Sequence, residues 1–257
     1  MQKRMEVLLY REMLKNLVLK ELNARYKGSV LGFLWSFFNP LLMLVIYSVV
    51  FSLIMKAQIE NFPVFIFVAI LPWNFLVNSV LMGSTVVLHN ANLVKKIYFP
   101  RSILPLSIVI SNMINYVFSL LILIPALMLY HIKIGFVILY FPAVLFIQAV
   151  FVLALTLAVS ALTVYLRDLQ HITSVLMTAW FFLTPVFYPL NFLPQEYQIL
   201  FSWNPMTPLI NEYRNIFLYN TVPDFFNLTL LLVIFLLFLV ASLTLFNRLQ
   251  RYFAEEI

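Results

Sequence analysis

Cysteine is absent from the 257 residues, which excludes disulfides and thiolate metal sites. Glycine is scarce, only Gly28, Gly32, Gly83 and Gly135, and none stands in the Gly-rich turn followed by Lys and Ser/Thr that brings backbone amides onto phosphate. Direct ATP hydrolysis by a P-loop is therefore excluded for this chain. The three histidines, His89, His131 and His171, lack the paired spacing and clustered carboxylates of a metal or nucleophile site. Charge is scarce as well. Charged residues make up 10% of the chain against 63% hydrophobic, with a mean hydropathy of +0.98, too little polar surface to coat a soluble domain. Lipid is the solvent that this composition fits.

What remains is six apolar stretches, Phe33–Met55, Pro63–Leu88, Ser102–Tyr130, Phe136–Leu166, Ile172–Leu190 and Phe225–Phe246. Each is about long enough for a helix to cross ~30 Å of hydrocarbon. The chain reads as an all-α polytopic membrane protein with six transmembrane helices. Cytoplasmic flanks retain Lys and Arg. Lys3, Arg4, Arg11, Lys15, Lys20, Arg25 and Lys27 precede the first stretch, Lys95, Lys96 and Arg101 follow the second, Arg167 follows the fourth, and Arg248 and Arg251 follow the sixth. The other side keeps Lys56, Lys133 and Arg214. Both termini are expected in the cytoplasm, with the chain in the inner (cytoplasmic) membrane, and the N-terminus does not read as a cleavable signal peptide because charges interrupt its first apolar run.

From Val7 to Val18, the residues Val7, Tyr10, Met13, Leu14, Leu17 and Val18 recur at helical spacing while Glu12, Lys15 and Asn16 face away. With the cations around it, this predicts an N-terminal amphipathic interface helix on the inner leaflet, or a plain positive-inside anchor. Gly28 and Gly32 bracket a bend before the first span. The segment 191–224 is too long for a structureless connection. Thr207-Pro208 reads as an N-cap with proline at the first helical position, and a second short helix is expected after Pro194, carrying Tyr197, Leu200 and Phe201. These two helices are either re-entrant or interfacial. Pro40, Pro72, Pro105, Pro125, Pro142 and Pro185 lie within the spans, where kinks are tolerated. No internal repeat is visible.

No Asp, Glu, Lys, Arg or His falls well inside any stretch, so proton coupling has no evident residues to run through, although backbone and hydroxyl oxygens could still hold sodium. The chain reads as a conduit driven from outside, and a motor needs a handle. The best candidate is His89–Arg101, where Leu93, Val94, Ile97 and Phe99 could fill a groove and Lys95 and Lys96 could steer an acidic rim. An ordinary positive-inside loop reads equally well from these residues alone.

Several separated motifs resemble the membrane subunit of type-2 ABC exporters of O-antigen, capsular and teichoic acid polymers, over nearly the whole length. They are Arg25-Tyr26-Lys27 with Ser29, Leu31-Gly32, Trp35 and Asn39-Pro40-Leu41; Asn92-Leu93-Val94-Lys95-Lys96 to Phe99-Pro100; Arg167-Asp168-Leu169; and Thr184-Pro185-Val186-Phe187-Tyr188-Pro189 with Asn204-Pro205. The resemblance implies a homodimer with two copies of a separate nucleotide-binding ATPase, which would carry the Mg-ATP, and no cofactor or nucleic acid on this chain. It implies a transport subunit rather than an enzyme. The substrate would be an undecaprenyl-pyrophosphate-linked polysaccharide, and teichoic acid and capsular polymers share the motifs. The single transmembrane domain, 1–257, then divides into a cytoplasmic segment 1–32, six spans within 33–246, a coupling segment 89–101, an extracytoplasmic gate segment 191–224 and a cytoplasmic tail 247–257.

On this reading Asn92, Leu93, Val94, Lys95, Lys96, Ile97, Phe99, Arg167 and Asp168 would dock the ATPase. A sliding glycan needs flat apolar surfaces. The resemblance makes the first and fifth spans the lining, so Phe33, Trp35, Phe37, Phe38, Trp180, Phe181, Phe187 and Tyr188 are the channel or gate candidates, with an interface belt against membrane lipids as the other use of such rings. Arg25, Lys27, Arg4 and Arg11 are candidates to face the pyrophosphate, or to hold topology and anionic lipid. An ion-coupled flippase for a smaller lipid-linked sugar and a membrane-embedded glycosyl- or acyltransferase are the other readings. The second would need clustered acids or histidines where only Glu196, Glu212 and Asp224 are scattered.

Overall fold

The computed structural model describes residues 2–24, 34–50, 61–192 and 194–257. Every regular element among them is helical. In order these are α1 (Gln2–Ala24), α2 (Trp35–Tyr47), α3 (Phe62–His89), α4 (Ala91–Lys96), α5 (Ile103–Leu129), α6 (Phe141–Tyr165), α7 (Leu169–Phe182), α8 (Gln195–Ser202), α9 (Met206–Arg214), α10 (Phe225–Leu249) and α11 (Phe253–Glu256).

Local chemistry sets the ends of these helices. Asn61 adopts a left-handed conformation (φ 53°) ahead of α3, and Pro63 sits in the first turn, where no amide hydrogen is needed. At its far end the Asn90 side chain donates to the Val86 carbonyl (2.8 Å), turning the chain into α4. Asp224 starts α10 by accepting from the amides of Phe226 and Asn227 (3.0 and 3.2 Å).

Among the described residues, four helical segments are long and apolar enough to cross a membrane: Phe62–His89, Ile103–Leu129, Phe136–Tyr165 and Phe225–Glu256. They coincide with the second, third, fourth and sixth apolar stretches. Of the first stretch, α2 and the wider turn through Val50 are described, while Phe33, residues 51–55 and the Gly28–Gly32 bend lie outside the described residues. The fifth stretch differs from expectation, because α7 starts three residues early and stops at Phe182, ~21 Å long at 1.5 Å per residue. Pro185 has no amide hydrogen to continue the ladder, and the Thr184 hydroxyl turns back onto the Trp180 carbonyl (2.8 Å). The helix after Pro194 is present as α8. Thr207 is not the cap of α9; the Asn204 side chain accepts from the Met206 amide (3.0 Å) instead, while the Thr207 hydroxyl is buried without a partner.

The most buried element is α3, packed against both α5 and α6, with α10 along the other side of α6. Around this centre α2 lies on α5 and α3, α7 on α3 and α6, and α1 on α5. Among the described residues, two large apolar clusters and a small one of Phe62, Phe65 and Ile66 form the core. The larger includes Phe67, Trp73, Leu76, Tyr116, Phe151 and Tyr213. The second, at the end that carries α1 and α4, gathers Leu17, Val86, Val94, Phe99, Phe246 and Phe253. Leu17 of α1 is buried there, Val18 is buried beside it in the sequence, and Glu12, Lys15 and Asn16 are exposed.

Gly83 marks the closest approach of α3 to α6, since a Cβ there would run into the Thr156 methyl. Gly83→Ala is expected to cost about 1–3 kcal/mol through this overlap. Combined with Thr156→Ala, which removes the methyl, most of the loss should return. Unfolding midpoints of the two single variants and the double variant in detergent test this; a double variant no better than Gly83→Ala would refute the contact.

Candidate functional site

Two regions at opposite ends of the bundle hold the candidate residues. At the α4 end, Asn90 joins three helices: its amide donates to Val86, and its carbonyl oxygen accepts from Lys20 Nζ of α1 (2.9 Å). The C-terminal segment closes underneath. Arg101 donates to the Gln250 carbonyl and stands over the Phe253 ring, Lys95 reaches the Ile257 carbonyl (2.7 Å), and Tyr165 donates to the Leu249 carbonyl (2.8 Å). The α4 handle is thereby fixed to the ends of α1, α3, α5, α6 and α10.

This wiring divides the expected docking residues. Val94 and Phe99 point into the chain's own cluster, so they are not the groove-filling side chains expected of them, and Leu93 is half-buried against the same cluster. Asn92, Lys95, Lys96 and Ile97 are exposed, Ile97 to 56%. Tyr98, not anticipated from the sequence, is 98% exposed. A large ring held out beside two lysines on a rigid turn is a feature a partner surface can use. Ile97 and Tyr98 also border a groove of ≈ 620 Å³ shared with Tyr10, Arg101, Asn247 and Arg251. Arg167 and Asp168 are exposed in the turn two residues beyond Tyr165, and so lie at this same end.

At the other end, α9 is sunk into the bundle. Met206, Leu209, Ile210 and Tyr213 are fully buried against α3 and α6, whereas α8 is largely exposed. Tyr213 donates to Gln148 Oε1 of α6 (2.7 Å), Gln148 Nε2 donates to the Pro72 carbonyl of α3 (2.7 Å), and the Tyr116 ring of α5 packs edge-on against the Tyr213 ring (6.0 Å). Two ionisable side chains are buried on α9, which a search confined to the apolar stretches passes over. Glu212, 7% exposed, accepts from Asn215 Nδ2 (3.2 Å) and the Asp224 amide (3.4 Å). Arg214, 3% exposed, donates to the Val186 carbonyl (2.8 Å) and lies 3.6 Å from the centre of the Phe65 ring. Burial pulls its pKa down to about 9, so it stays charged at neutral pH against the ring's negative face.

The expected gate aromatics are mostly pinned. Trp180 stacks edge-on to Trp73 (6.0 Å) and Phe151 (6.2 Å), and its indole donates to Asn204 Oδ1 (2.9 Å). Asn204 Nδ2 in turn donates to the Leu183 carbonyl (2.9 Å) and Thr184 Oγ1 (2.8 Å). Phe181 packs on Trp73 and Phe187, Phe187 on Tyr47, and Tyr188 donates to the Phe182 carbonyl (2.9 Å). On α2, Trp35 meets Phe38, which is exposed, and Phe37 meets Phe118. What α7 and the residue after it leave open is mostly apolar, with Ile172, Val175, Leu176, Phe182 and Leu183 exposed beside Ser174 and Thr178. Of the cations expected to face pyrophosphate, Arg25 and Lys27 lie outside the described residues, as does the ring candidate Phe33. Arg4 lies within α1, and Arg11 is exposed on it.

Known proteins resemble this chain closely. The ABC-2 type transporter family matches residues 12–218. The chain is 40% identical over 254 residues, 98% of each chain, to the O-antigen export system permease protein RfbA of Myxococcus xanthus. It is 30% identical over 237 residues to RfbA of Klebsiella pneumoniae, covering 92% of this chain and 91% of that one. The polysialic acid transport protein KpsM of Escherichia coli is more distant, 22% identical over 241 residues, 90% of this chain and 91% of the other.

Asn204 joins α7, α9 and the turn between them, and this orders two variants. Asn204→Ala strands the Trp180 indole and the Met206 amide together, whereas Trp180→Phe removes one donor and keeps most ring packing. Unsatisfied buried groups cost about 1–3 kcal/mol each. Asn204→Ala should therefore lower the unfolding midpoint more than Trp180→Phe, and the reverse order would show that ring packing, not the carboxamide, holds the segment.

Proposed function

Because the chain belongs to the ABC-2 type transporter family, we propose that it is the permease subunit of an ATP-driven exporter of O-antigen-type polysaccharide. The observation that carries this reading is the end-to-end likeness to O-antigen export permeases, 98% of both chains in one case. The exposed Lys95-Lys96-Ile97-Tyr98 surface supports it, because a permease without a nucleotide site of its own needs a firm point of attachment for the subunit that hydrolyses Mg-ATP.

In this reading α2 and α7 complete six spans with the four long helices, both termini face the cytoplasm of the inner membrane, and the α4 end is the cytoplasmic one. Two copies pair, each bearing one ATPase subunit against α4 and the Arg167–Asp168 turn. The polysaccharide enters on its undecaprenyl-pyrophosphate carrier, whose phosphates meet Arg4, Arg11, Arg25 and Lys27. The segment 191–224 closes the outer end, and the α1 cations lie along the inner leaflet. The aromatics of α2 and α7 act chiefly by shaping the passage, since Trp180, Phe181 and Phe187 are engaged within the chain. A capsular polymer is the second substrate that a relative favours, through the likeness to the polysialic acid transport protein. An ion-coupled flippase is less favoured. Among the described residues Glu212 and Arg214 are the buried ionisable side chains, and both are tied to partners within the chain.

The docking assignment predicts different outcomes for neighbouring residues. With the ATPase partner reconstituted, replacing both Ile97 and Tyr98 by Asp should leave the permease's unfolding midpoint unchanged and cut partner binding and permease-dependent ATPase at least tenfold. Phe99→Asp should instead lower the folded yield, because it buries a charge in the second cluster. Wild-type coupling in the Ile97→Asp/Tyr98→Asp variant would remove α4 as the docking surface.

A further inference from the structure

Between residues 62 and 88, a stretch that spans the hydrocarbon, α3 exposes two side chains, Asn74 and Asn78. They are one helical turn apart on one face. At 1.5 Å per residue they stand about 18 and 24 Å along a helix of about 42 Å, near mid-depth. No hydrogen bond among the described residues satisfies either carboxamide. A helix that buries most of its apolar surface and exposes two unpaired amides at this depth does not place those amides against lipid, where they would have nothing to bond to.

The two amides face a cleft of ≈ 390 Å³ between α2, α3 and α5, a size at which binding pockets for small ligands begin, roughly 300–1,000 Å³. Asn39 of α2 and Asn112, Asn115 and Ser119 of α5 complete its polar lining. Among the described residues no charged side chain lines it, and the groups they offer suit an uncharged ligand rather than a phosphate or carboxylate. Carboxamides present donors and acceptors together, which matches a hydroxyl that must both give and receive. The rings of Trp35 and Tyr116 at the same cleft supply apolar faces for C–H surfaces.

We infer that this amide-lined cleft is a subsite for uncharged sugar rings of the exported chain, at mid-membrane and apart from the aromatic gate candidates on α7. The inference rests on the exporter reading and gives that reading a place where the glycan is held. Its wall is joined to the outer segment, because the Tyr116 ring packs edge-on against the Tyr213 ring of α9 (6.0 Å). A filled cleft and the position of α9 therefore share one packed ring contact.

The chain contains no cysteine, so single thiols can be introduced without further change. Asn74→Cys and Asn78→Cys, with Val240→Cys on the exposed apolar face of α10 as the lipid-facing control, are compared in nanodiscs with the ATPase partner bound. A charged methanethiosulfonate should label both cleft thiols at least tenfold faster than Val240→Cys, and delipidated host polysaccharide should slow that labelling threefold or more. Labelling as slow as the control, no protection by the polysaccharide, or oxidative cross-linking of Asn74→Cys between two copies would each overturn the subsite. Export is read separately in a permease-deleted strain. If the wild-type chain fails to restore surface polysaccharide, the exporter reading falls; if it succeeds and Asn74→Leu/Asn78→Leu succeeds equally, the subsite falls and the exporter reading stands.

Discussion

A buried polar group has only the protein to bond to, and that constraint organises this molecule from α9 outward. Gln148 and Tyr213 have no exposed surface, yet each spends its polar atoms on a neighbour: Tyr213 on Gln148, Gln148 on the Pro72 carbonyl. Each such bond contributes only about 1 kcal/mol net, and inside membrane proteins often less. Their larger effect is through the penalty for breaking them, since α9 cannot leave the bundle without stranding the Gln148 carboxamide oxygen of α6. Hydroxyls elsewhere on the spans solve the same problem locally. Ser79, Ser107, Ser111, Thr156, Ser160 and Thr163 each donate to a carbonyl one turn back in their own helix.

Against this background the exceptions carry the functional argument. Asn74 and Asn78 are polar, exposed and unpaired on a helix whose Ser79 and Ser84 hydroxyls are both bonded to carbonyls of their own helix. Arg214 and Glu212 are charged and buried, but each is held by a carbonyl, an amide or a ring face. The first pair marks a surface waiting for a partner; the second marks a clamp. The bonded groups of Tyr213, Glu212 and Arg214 hold α9 in place, although Thr207 Oγ1 and Arg214 Nε stay without a partner, and the exposed unpaired amides define where something wet or hydroxylated belongs.

Hydropathy and charge made most of the bundle legible, because a spanning helix must be apolar for about twenty residues and the rule holds for α3, α5, α6 and α10 to within a few residues at either end. It failed where a proline ends a helix inside an apolar run, as at α7, since hydropathy does not register a missing amide hydrogen. The cap of α9 was misassigned to Thr207 because cap preference is local while the carboxamide that serves, Asn204, is placed by Trp180 and Thr184 across the turn. In the α4 segment, composition identified a handle but not its faces. Val94 and Phe99 are as apolar as Ile97, and only the packing of α1 and α11 decides which of them turn inward. The asparagines escaped notice for a related reason. A scan of the spans for ionisable residues treats amides as neutral filler, and only exposure at depth separates Asn74 from Asn112.

The distribution of rigidity narrows where motion can occur. The α4 handle is bonded to the ends of α1, α3 and the C-terminal segment, so a force applied at Tyr98 passes into α3 and α5 before it meets any loosely packed element. Gly83 brings α3 against α6 in close contact, and the Tyr213–Gln148–Pro72 chain ties α9 to α6 and α3, so α3, α5 and α6 form a tightly packed central block. By contrast α2 and α7 touch that block along one face and expose aliphatic side chains on the other. The amide cleft lies where α2 meets this block, and the Trp180–Asn204 bond joins α7 to the segment that precedes α9. A shift of the block relative to α2 would change the cleft's width directly, and a shift relative to α7 would load the Asn204 junction. Both consequences follow from one displacement, so the width of the cleft and the closure of the α9 end are mechanically linked without any further moving part.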